Sequence, residues 1–234
     1  MTPRLLPGAA LLVQCIAAAH AGTVYDSYDA FYADMPDAVF RDAAQRSNGV
    51  MYSHAGDGRV YSVRRTRLAG RPLTIDISAD RITVNGAVYR FARAATYPGE
   101  SPTRIYPETD LFVAERTAQR PAALCVEGNS SGSGEADRHT QIYLLVDPLR
   151  KTKRPVLLHL PSLLSSCRAV LAQGDRFLFP KNTYRIDGEP AQRIGLDGRY
   201  QTFDGAKFVP VDRTFSIQFE QPENPFRFLH RTAP

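Results

Sequence analysis

The sequence contains no tryptophan, and its N-terminal apolar stretch is too short to cross a bilayer. The first absence removes the commonest side chain for stacking on sugars, although eleven tyrosines could substitute. The apolar stretch, Ala9 to Ala19, is interrupted by Gln14, whereas a membrane-spanning helix needs about twenty apolar residues. We therefore expect no transmembrane segment.

The first twenty-one residues predict export instead. Arg4, the short apolar stretch and Ala19-His20-Ala21 before Gly22 are typical of a secretory signal peptide, residues 1–21, that is cleaved. The remaining residues, 22–234, are expected to form a single domain in the periplasm or outside the cell. Cys15 raises the alternative of a lipoprotein, but Gln14 stands where such processing sites have a small residue.

Cysteine is scarce, and cleavage would leave only Cys125 and Cys167. Two cysteines in an exported chain predict one disulfide. The alternative is two buried free thiols. Zinc is disfavoured because neither cysteine has a second cysteine or a histidine at ligand spacing.

Motifs that hold metals, phosphates or activated nucleophiles are also missing. The chain has no His-Glu-x-x-His, no phosphate loop and no EF-hand, and the serines around Ser130 belong to a glycine-rich linker rather than a strand-to-helix elbow. We therefore expect no cofactor and no metal. The strongest acid–base candidates are His54 and Asp57, which share a glycine-containing loop, whereas His159 lies in an apolar strand and reads as a core residue.

Positive charge is mild overall, with a net charge of +5. A nucleic-acid binder concentrates its charge much more strongly, so we expect no nucleic-acid partner. The densest basic run comprises Arg150, Lys151, Lys153 and Arg154. Its ordinary interpretation is a solvated turn, and its functional interpretation is a loop that contacts an acidic partner.

Turn dipeptides dominate the mature chain and predict a mainly β fold with an α+β minority, an antiparallel hairpin-rich sandwich, barrel or meander. Asn85-Gly86 between alternating strands predicts one hairpin, and Ile142–Val146 with Val156–Leu160 predicts a second whose loop contains the basic run. Asp187-Gly188, Asp197-Gly198 and Asp204-Gly205 predict further turns. The segment 128–137 has nothing to bury and is expected to be mobile.

Two segments show helical spacing. Apolar residues from Tyr28 to Phe40 recur every three or four positions until Pro36 interrupts them, which predicts an N-terminal helix. Residues 162–173 follow Pro161 and precede Gly174, which predicts a short helix containing Cys167. Two short strands remain the alternative for this second segment.

No family motif appears in the sequence, so function rests on these features alone. They favour an exported, non-enzymatic protein that recognises another envelope or secreted protein, such as an inhibitor or immunity protein that blocks a toxin or hydrolase. One alternative is an exported hydrolase of cell wall, lipid or glycan that uses His54 and Asp57. Another is a β-barrel carrier of a lipid or small ligand, which would require a large apolar cavity.

Overall fold

A computed structural model describes residues 22–129, 138–149 and 155–231. The predicted signal peptide, most of the glycine-rich loop and the basic run from Arg150 to Arg154 lie outside these ranges. In chain order the elements are β1 (Thr23–Tyr25), α1 (Tyr28–Ala33), β2 (Tyr52–Ser53), β3 (Val60–Leu68), β4 (Arg71–Ser78), β5 (Arg81–Val84), β6 (Ala87–Arg90), β7 (Asp110–Ala114), β8 (Ala123–Gly128), β9 (His139–Val146), β10 (Val156–His159), β11 (Ser162–Leu163), β12 (Leu171–Gln173), β13 (Arg176–Asp187), β14 (Gln192–Phe203), β15 (Phe208–Gln221) and β16 (Asn224–His230).

The strands form three antiparallel sheets, which confirms the mainly β prediction. The N-terminal sheet has the order β2-β3-β4-β5-β6. The central sheet has the order β10-β9-β8-β7, with β11 also paired to β9. The C-terminal sheet has the order β1-β16-β15-β14-β13-β12, so strands from the two ends of the described chain meet at β1 and β16.

The central sheet is apolar on both faces. Phe112, Cys125 and Leu144 point into one hydrophobic cluster with the C-terminal sheet and α1. Their chain neighbours Leu124 and Leu145 point into a second cluster with the N-terminal sheet. Since successive side chains of a strand face opposite sides, β8 and β9 can serve both clusters only if nearly every residue is apolar.

Both hairpins predicted from turn chemistry are present. Asn85 and Gly86 have positive φ angles of 47° and 86° and join β5 to β6, as a tight two-residue hairpin turn requires. Strands β9 and β10 pair with Val146 opposite Val156, so the second hairpin is also confirmed. The loop between them includes the basic run, which lies outside the described residues.

The N-terminal helix is confirmed and short. The side chain of Ser27 caps α1, which ends at Ala33, and Asp34 is its C-cap, two residues before Pro36. Phe31 and Tyr32 are its buried residues and pack against Phe215 of β15. The helix thereby covers the inner face of the C-terminal sheet.

The predicted helix at 162–173 is corrected to the alternative of two short strands. Residues 162–163 form β11 and residues 171–173 form β12, with a single 3₁₀ turn at Cys167–Ala169 between them. The apolar residues do not share one helical face because the whole stretch from Ser162 to Leu171 is buried. Pairing with β9 and β13 satisfies its strand backbone instead.

The disulfide between Cys125 and Cys167 is confirmed. It joins β8 of the central sheet to the 3₁₀ turn that leads into β12, and both cysteines are fully buried. The bond closes a loop with a sequence separation of 42 residues. Such a loop is worth about 4 kcal/mol in the chain-entropy model.

One predicted turn is wrong. Asp197-Gly198 lies in the middle of β14, paired with both β13 and β15, whereas Asp187-Gly188 and Asp204-Gly205 do lie at strand ends. Gly198 is needed for a different reason. A Cβ atom at this position would overlap the ring of Phe215, which packs directly on the glycine backbone.

The described residues include no helix long and apolar enough to span a membrane.

Gly198→Ala should lower the free energy of unfolding by about 1 to 3 kcal/mol, because the new methyl group must displace the Phe215 ring within a packed core. Urea unfolding followed by circular dichroism measures the change. Gly56→Ala is the matched control, since its Cβ would meet only the end of the His54 side chain. A change of less than about 0.5 kcal/mol in Gly198→Ala would contradict this packing.

Candidate functional site

The predicted acid–base residues His54 and Asp57 lie together in an exposed turn. His54 Nδ1 is 3.1 Å from Asp57 Oδ1, and each side chain is 52% exposed. The same nitrogen accepts a hydrogen bond from the Gly56 backbone N–H at 3.2 Å. The backbone N–H of Arg59 donates to Asp57 and lowers the pKa of its carboxyl group. These contacts close the turn.

The cavity beside this turn is small. It has a volume of about 90 Å³ and is lined by His54, Arg59, Tyr61, Asp76, Ser78 and Arg81. Substrate sites in proteins usually enclose several hundred Å³. His54 and Asp57 are in contact, as the sequence suggested. Their catalytic role stays a prediction, because the cavity beside them is small.

A larger cleft of about 550 Å³ opens between the central and C-terminal sheets. We name it the arginine cleft, after Arg116, Arg120 and Arg176 on its walls. Apolar side chains also line it, including Leu158, Phe177 and Phe203. The lining therefore combines arginine and apolar side chains with three acidic ones, Asp147, Asp175 and Asp204.

Four separate parts of the chain build the arginine cleft, one of which is the pair of strands β9 and β10. The connection from β7 to β8 supplies Arg116 and Arg120, the first residue of β13 supplies Arg176, and the end of β14 supplies Phe203. The turn containing Arg120 is ordered, since its backbone N–H donates to Thr117 Oγ1 at 3.0 Å. The cleft is thus held by strand ends and a hydrogen-bonded turn.

The charges in the arginine cleft are only partly neutralised. Arg116 forms an ion pair with Asp147. Asp204 is engaged in its own turn, where it accepts the backbone N–H groups of Ala206 and Lys207 at 2.8 and 2.9 Å. Within the described ranges, neither Arg120 nor Arg176 has a carboxylate partner. Arg120 Nη2 donates to the Glu115 backbone carbonyl at 3.4 Å, but the charges of Arg120 and Arg176 have no ion-pair partner in these ranges.

The predicted binding residues Arg150, Lys151, Lys153 and Arg154 lie outside the described residues, so their role stays a prediction. The strands on either side of them are described. Val146 and Asp147 before the basic run, and Val156 after it, all line the arginine cleft. The ends of β9 and β10 that flank the basic run in the sequence therefore line the cleft.

Sequence reasoning missed the arginine cleft because its walls are distant along the chain. Arg116 and Arg120 stand in a polar connection that resembles any solvated turn. Nothing in their spacing points to Arg176 or Phe203. The basic run between β9 and β10 was the binding signal in the sequence, and it includes none of the described residues that line the cleft.

A second group of charges is buried and lies away from both cavities. Arg168 donates to Asp29 at 2.7 Å and lies 3.9 Å from the Glu127 carboxylate. Glu127 also accepts the backbone N–H of Cys167. Burial is the main cause that raises the pKa of Glu127 to about 7. These contacts link β8, α1 and the disulfide turn, which is a structural role.

His159 is a core residue, as the sequence predicted. It is fully buried, and its two ring nitrogens contact Thr96 Oγ1 at 3.3 Å and Gln141 Oε1 at 2.8 Å. The ring stacks on Tyr143 with a centroid distance of 4.7 Å. Burial lowers the pKa of His159 to about 4, so it is neutral at physiological pH.

Metal binding has no support in the part of the chain that the structure describes. No group of three or more histidine, cysteine, aspartate or glutamate side chains there is arranged to hold an ion.

Comparison with known proteins finds no matching family model, no matching curated protein and no matching solved structure. The candidate site therefore rests on its own geometry and chemistry.

Glu127→Gln should change how stability depends on pH. Because the pKa of Glu127 is raised in the folded state, the folded chain holds a proton that the unfolded chain releases between about pH 4.5 and 7. Its favourable contribution is therefore present at low pH and is lost as pH rises through 7. Glutamine keeps an acceptor for Cys167 and cannot ionise.

The stability of the wild type relative to Glu127→Gln should fall by about 2 kcal/mol between pH 5 and pH 8. Urea unfolding of both proteins at each pH measures this difference. His159 titrates with the opposite sign, but it is common to both proteins and cancels. A difference that does not change with pH would show that Glu127 ionises normally.

Proposed function

We propose that this chain is an exported, non-enzymatic binding protein that recognises an acidic region of another envelope or secreted protein through the arginine cleft. An inhibitor or immunity protein that blocks a toxin or hydrolase is the form of this function that we favour. The observation that supports it most directly is that one cleft combines apolar and aromatic side chains with two arginines, Arg120 and Arg176, that have no carboxylate partner within the described ranges.

The composition of the cleft supports a protein partner. The energetically important residues of protein interfaces are enriched in arginine and aromatic side chains, which surround an apolar centre that loses water on binding. Arg120 and Arg176 beside Phe177 and Phe203 match that composition.

The charge of the region supports an acidic partner. Arg120 and Arg176 lack carboxylate partners within the described ranges, and Val146 and Val156, which flank the predicted basic run in the sequence, line the cleft. Positive charge around an interface speeds association with an acidic protein and selects against basic ones. The partner should therefore present aspartate and glutamate side chains around an apolar anchor.

Export is supported by the disulfide and by the N-terminal sequence. A buried disulfide is typical of chains that fold in an oxidising compartment, and Cys125 and Cys167 form one here. Residues 1–21 have the composition of a secretory signal peptide. An exported chain would encounter its partner in the envelope or outside the cell.

The hydrolase alternative draws on one observation, the 3.1 Å contact between His54 and Asp57. We favour binding over hydrolysis because that contact occurs in a half-exposed turn beside a small cavity. The carrier alternative needs a large apolar cavity. The two larger cavities of the described residues are instead open and lined by charged side chains.

Arg120→Glu combined with Arg176→Glu tests the proposal. The exported protein is immobilised and exposed to the envelope fraction of its source, and the recovered partner is then titrated against each variant. Reversing two interface charges should weaken the affinity by about 100-fold or more, because attraction becomes repulsion. The recovered partner should be acidic.

Arg46→Glu combined with Arg104→Glu is the matched control, because both arginines are exposed and neither lines the cleft. It carries the same change in net charge and should bind like the wild type. Equal affinity of the cleft variant and the wild type would contradict the proposal. So would equal weakening by the cleft and control variants, which would indicate a general charge effect.

A further inference from the structure

A second concave surface lies across the C-terminal sheet and shares no lining residue with the arginine cleft among the described residues. It has a volume of about 690 Å³, within the range of ligand sites. We name it the sheet groove and define it by Lys181 and Thr183 of β13, Asp197 and Arg199 of β14, and Thr214 and Ser216 of β15. Its side chains are almost all polar.

Strand pairing arranges these side chains in two rows across the sheet. In the first row Lys181 is directly opposite Arg199, and Arg199 is directly opposite Thr214. In the second row Asp197 stands between Thr183 and Ser216. Neighbouring strands are about 4.8 Å apart, so each row brings its groups within reach of a single bound molecule.

The second row is satisfied by its own contacts. Ser216 Oγ donates to Asp197 Oδ1 at 2.7 Å, and Arg185 Nη1 lies 3.5 Å from the same carboxylate oxygen. Arg185 also donates to the Ile217 carbonyl at 3.2 Å. The only acidic side chain of the groove is therefore already neutralised.

The first row contains two cations, Lys181 and Arg199, and no acidic side chain. Like charges directly opposite each other on neighbouring strands are destabilising, yet Lys181 and Arg199 occupy such positions. Lys181 has an exposed ion pair with Glu100 at 3.4 Å, which contributes little. The Arg199 guanidinium has no partner among the described residues. Lys181 Nζ also lies 5.6 Å from the centre of the Tyr97 ring, so Arg199 is the cation of this row that a bound anion would neutralise.

The rest of the lining indicates what kind of anion fits. Thr183, Thr214 and Gln201 present hydroxyl and amide groups, which hydrogen-bond to alcohols. Two rings line the groove: Phe215, which is only 7% exposed, and His230, which is partly buried. A protein interface or a nucleic-acid strand would need exposed apolar or stacking side chains.

We propose that the sheet groove binds an acidic saccharide, with Arg199 and Lys181 holding a carboxylate or phosphate group and the neighbouring threonine and glutamine side chains holding sugar hydroxyl groups. This site is separate from the arginine cleft and does not depend on the function proposed for it. It would let the protein attach to an acidic glycan of the envelope or extracellular matrix while the cleft engages its partner.

Titration calorimetry with a tetrasaccharide of galacturonic acid tests the inference. The wild type should bind it saturably, and Arg199→Gln should bind about tenfold more weakly or worse, because a hydrogen-bonded charge pair is lost. Without ligand, Arg199→Gln should be as stable as the wild type or slightly more stable, since the like-charge pair is removed. Arg104→Gln should bind like the wild type.

The fully methyl-esterified tetrasaccharide serves as the neutral ligand and should show at least about tenfold weaker binding. The Arg120→Glu, Arg176→Glu variant should retain wild-type saccharide affinity, which separates this test from that of the arginine cleft. The inference is overturned by the absence of saturable binding, by equal affinity of Arg199→Gln and the wild type, or by equal binding of the neutral ester.

Discussion

The central sheet must be apolar on both of its faces, and the rest of the structure depends on that constraint. Leu144 points towards the C-terminal sheet and α1, while Leu145 points towards the N-terminal sheet. Burial of one such side chain contributes about 1.5 to 3 kcal/mol. In the part of the chain that the structure describes, the two outer sheets belong to different hydrophobic clusters, and the central strands contribute to both.

The arginine cleft and the buried Glu127–Arg168 pair lie near the two ends of the central strands. The arginine cleft opens where the connection from β7 to β8 and the β9–β10 hairpin meet the strand ends of the C-terminal sheet. Near the other end of β8, the disulfide, Glu127 and Arg168 fix the turn that leads into β12. Rigid strands can thus present side chains at a fixed spacing, which a binding surface needs.

Local chemistry explains which parts of the fold were predictable. Asn85-Gly86 specifies its turn because both residues tolerate positive φ angles, and alternation on both sides fixes the register. Asp197-Gly198 is a similar dipeptide, but it lies within β14, and its glycine is required because the Phe215 ring packs on it. That contact joins two strands, so the dipeptide alone could not reveal it. The helix predicted at residues 162–173 was wrong because the segment is buried on all sides from Ser162 to Leu171. A continuous run of buried apolar residues also contains the three- and four-residue spacing of a helix.

The candidate sites were less predictable than the fold. The contact between His54 and Asp57 is local and was visible in the sequence. The arginine cleft requires Arg116 and Arg176 to line the same cavity although they are distant in the sequence. The sheet groove requires Lys181 to pair opposite Arg199. Both depend on the register of long strands, which the sequence leaves open.

Hydrogen exchange of the backbone amides tests the central claim most directly. If the central sheet is the shared core, the amides of Leu124, Leu144 and Leu145 should exchange only through global unfolding, and they should be the slowest in the molecule. Their exchange free energies should equal the free energy of unfolding from urea titration. Faster exchange in β8 and β9 than in the two outer sheets would contradict the account.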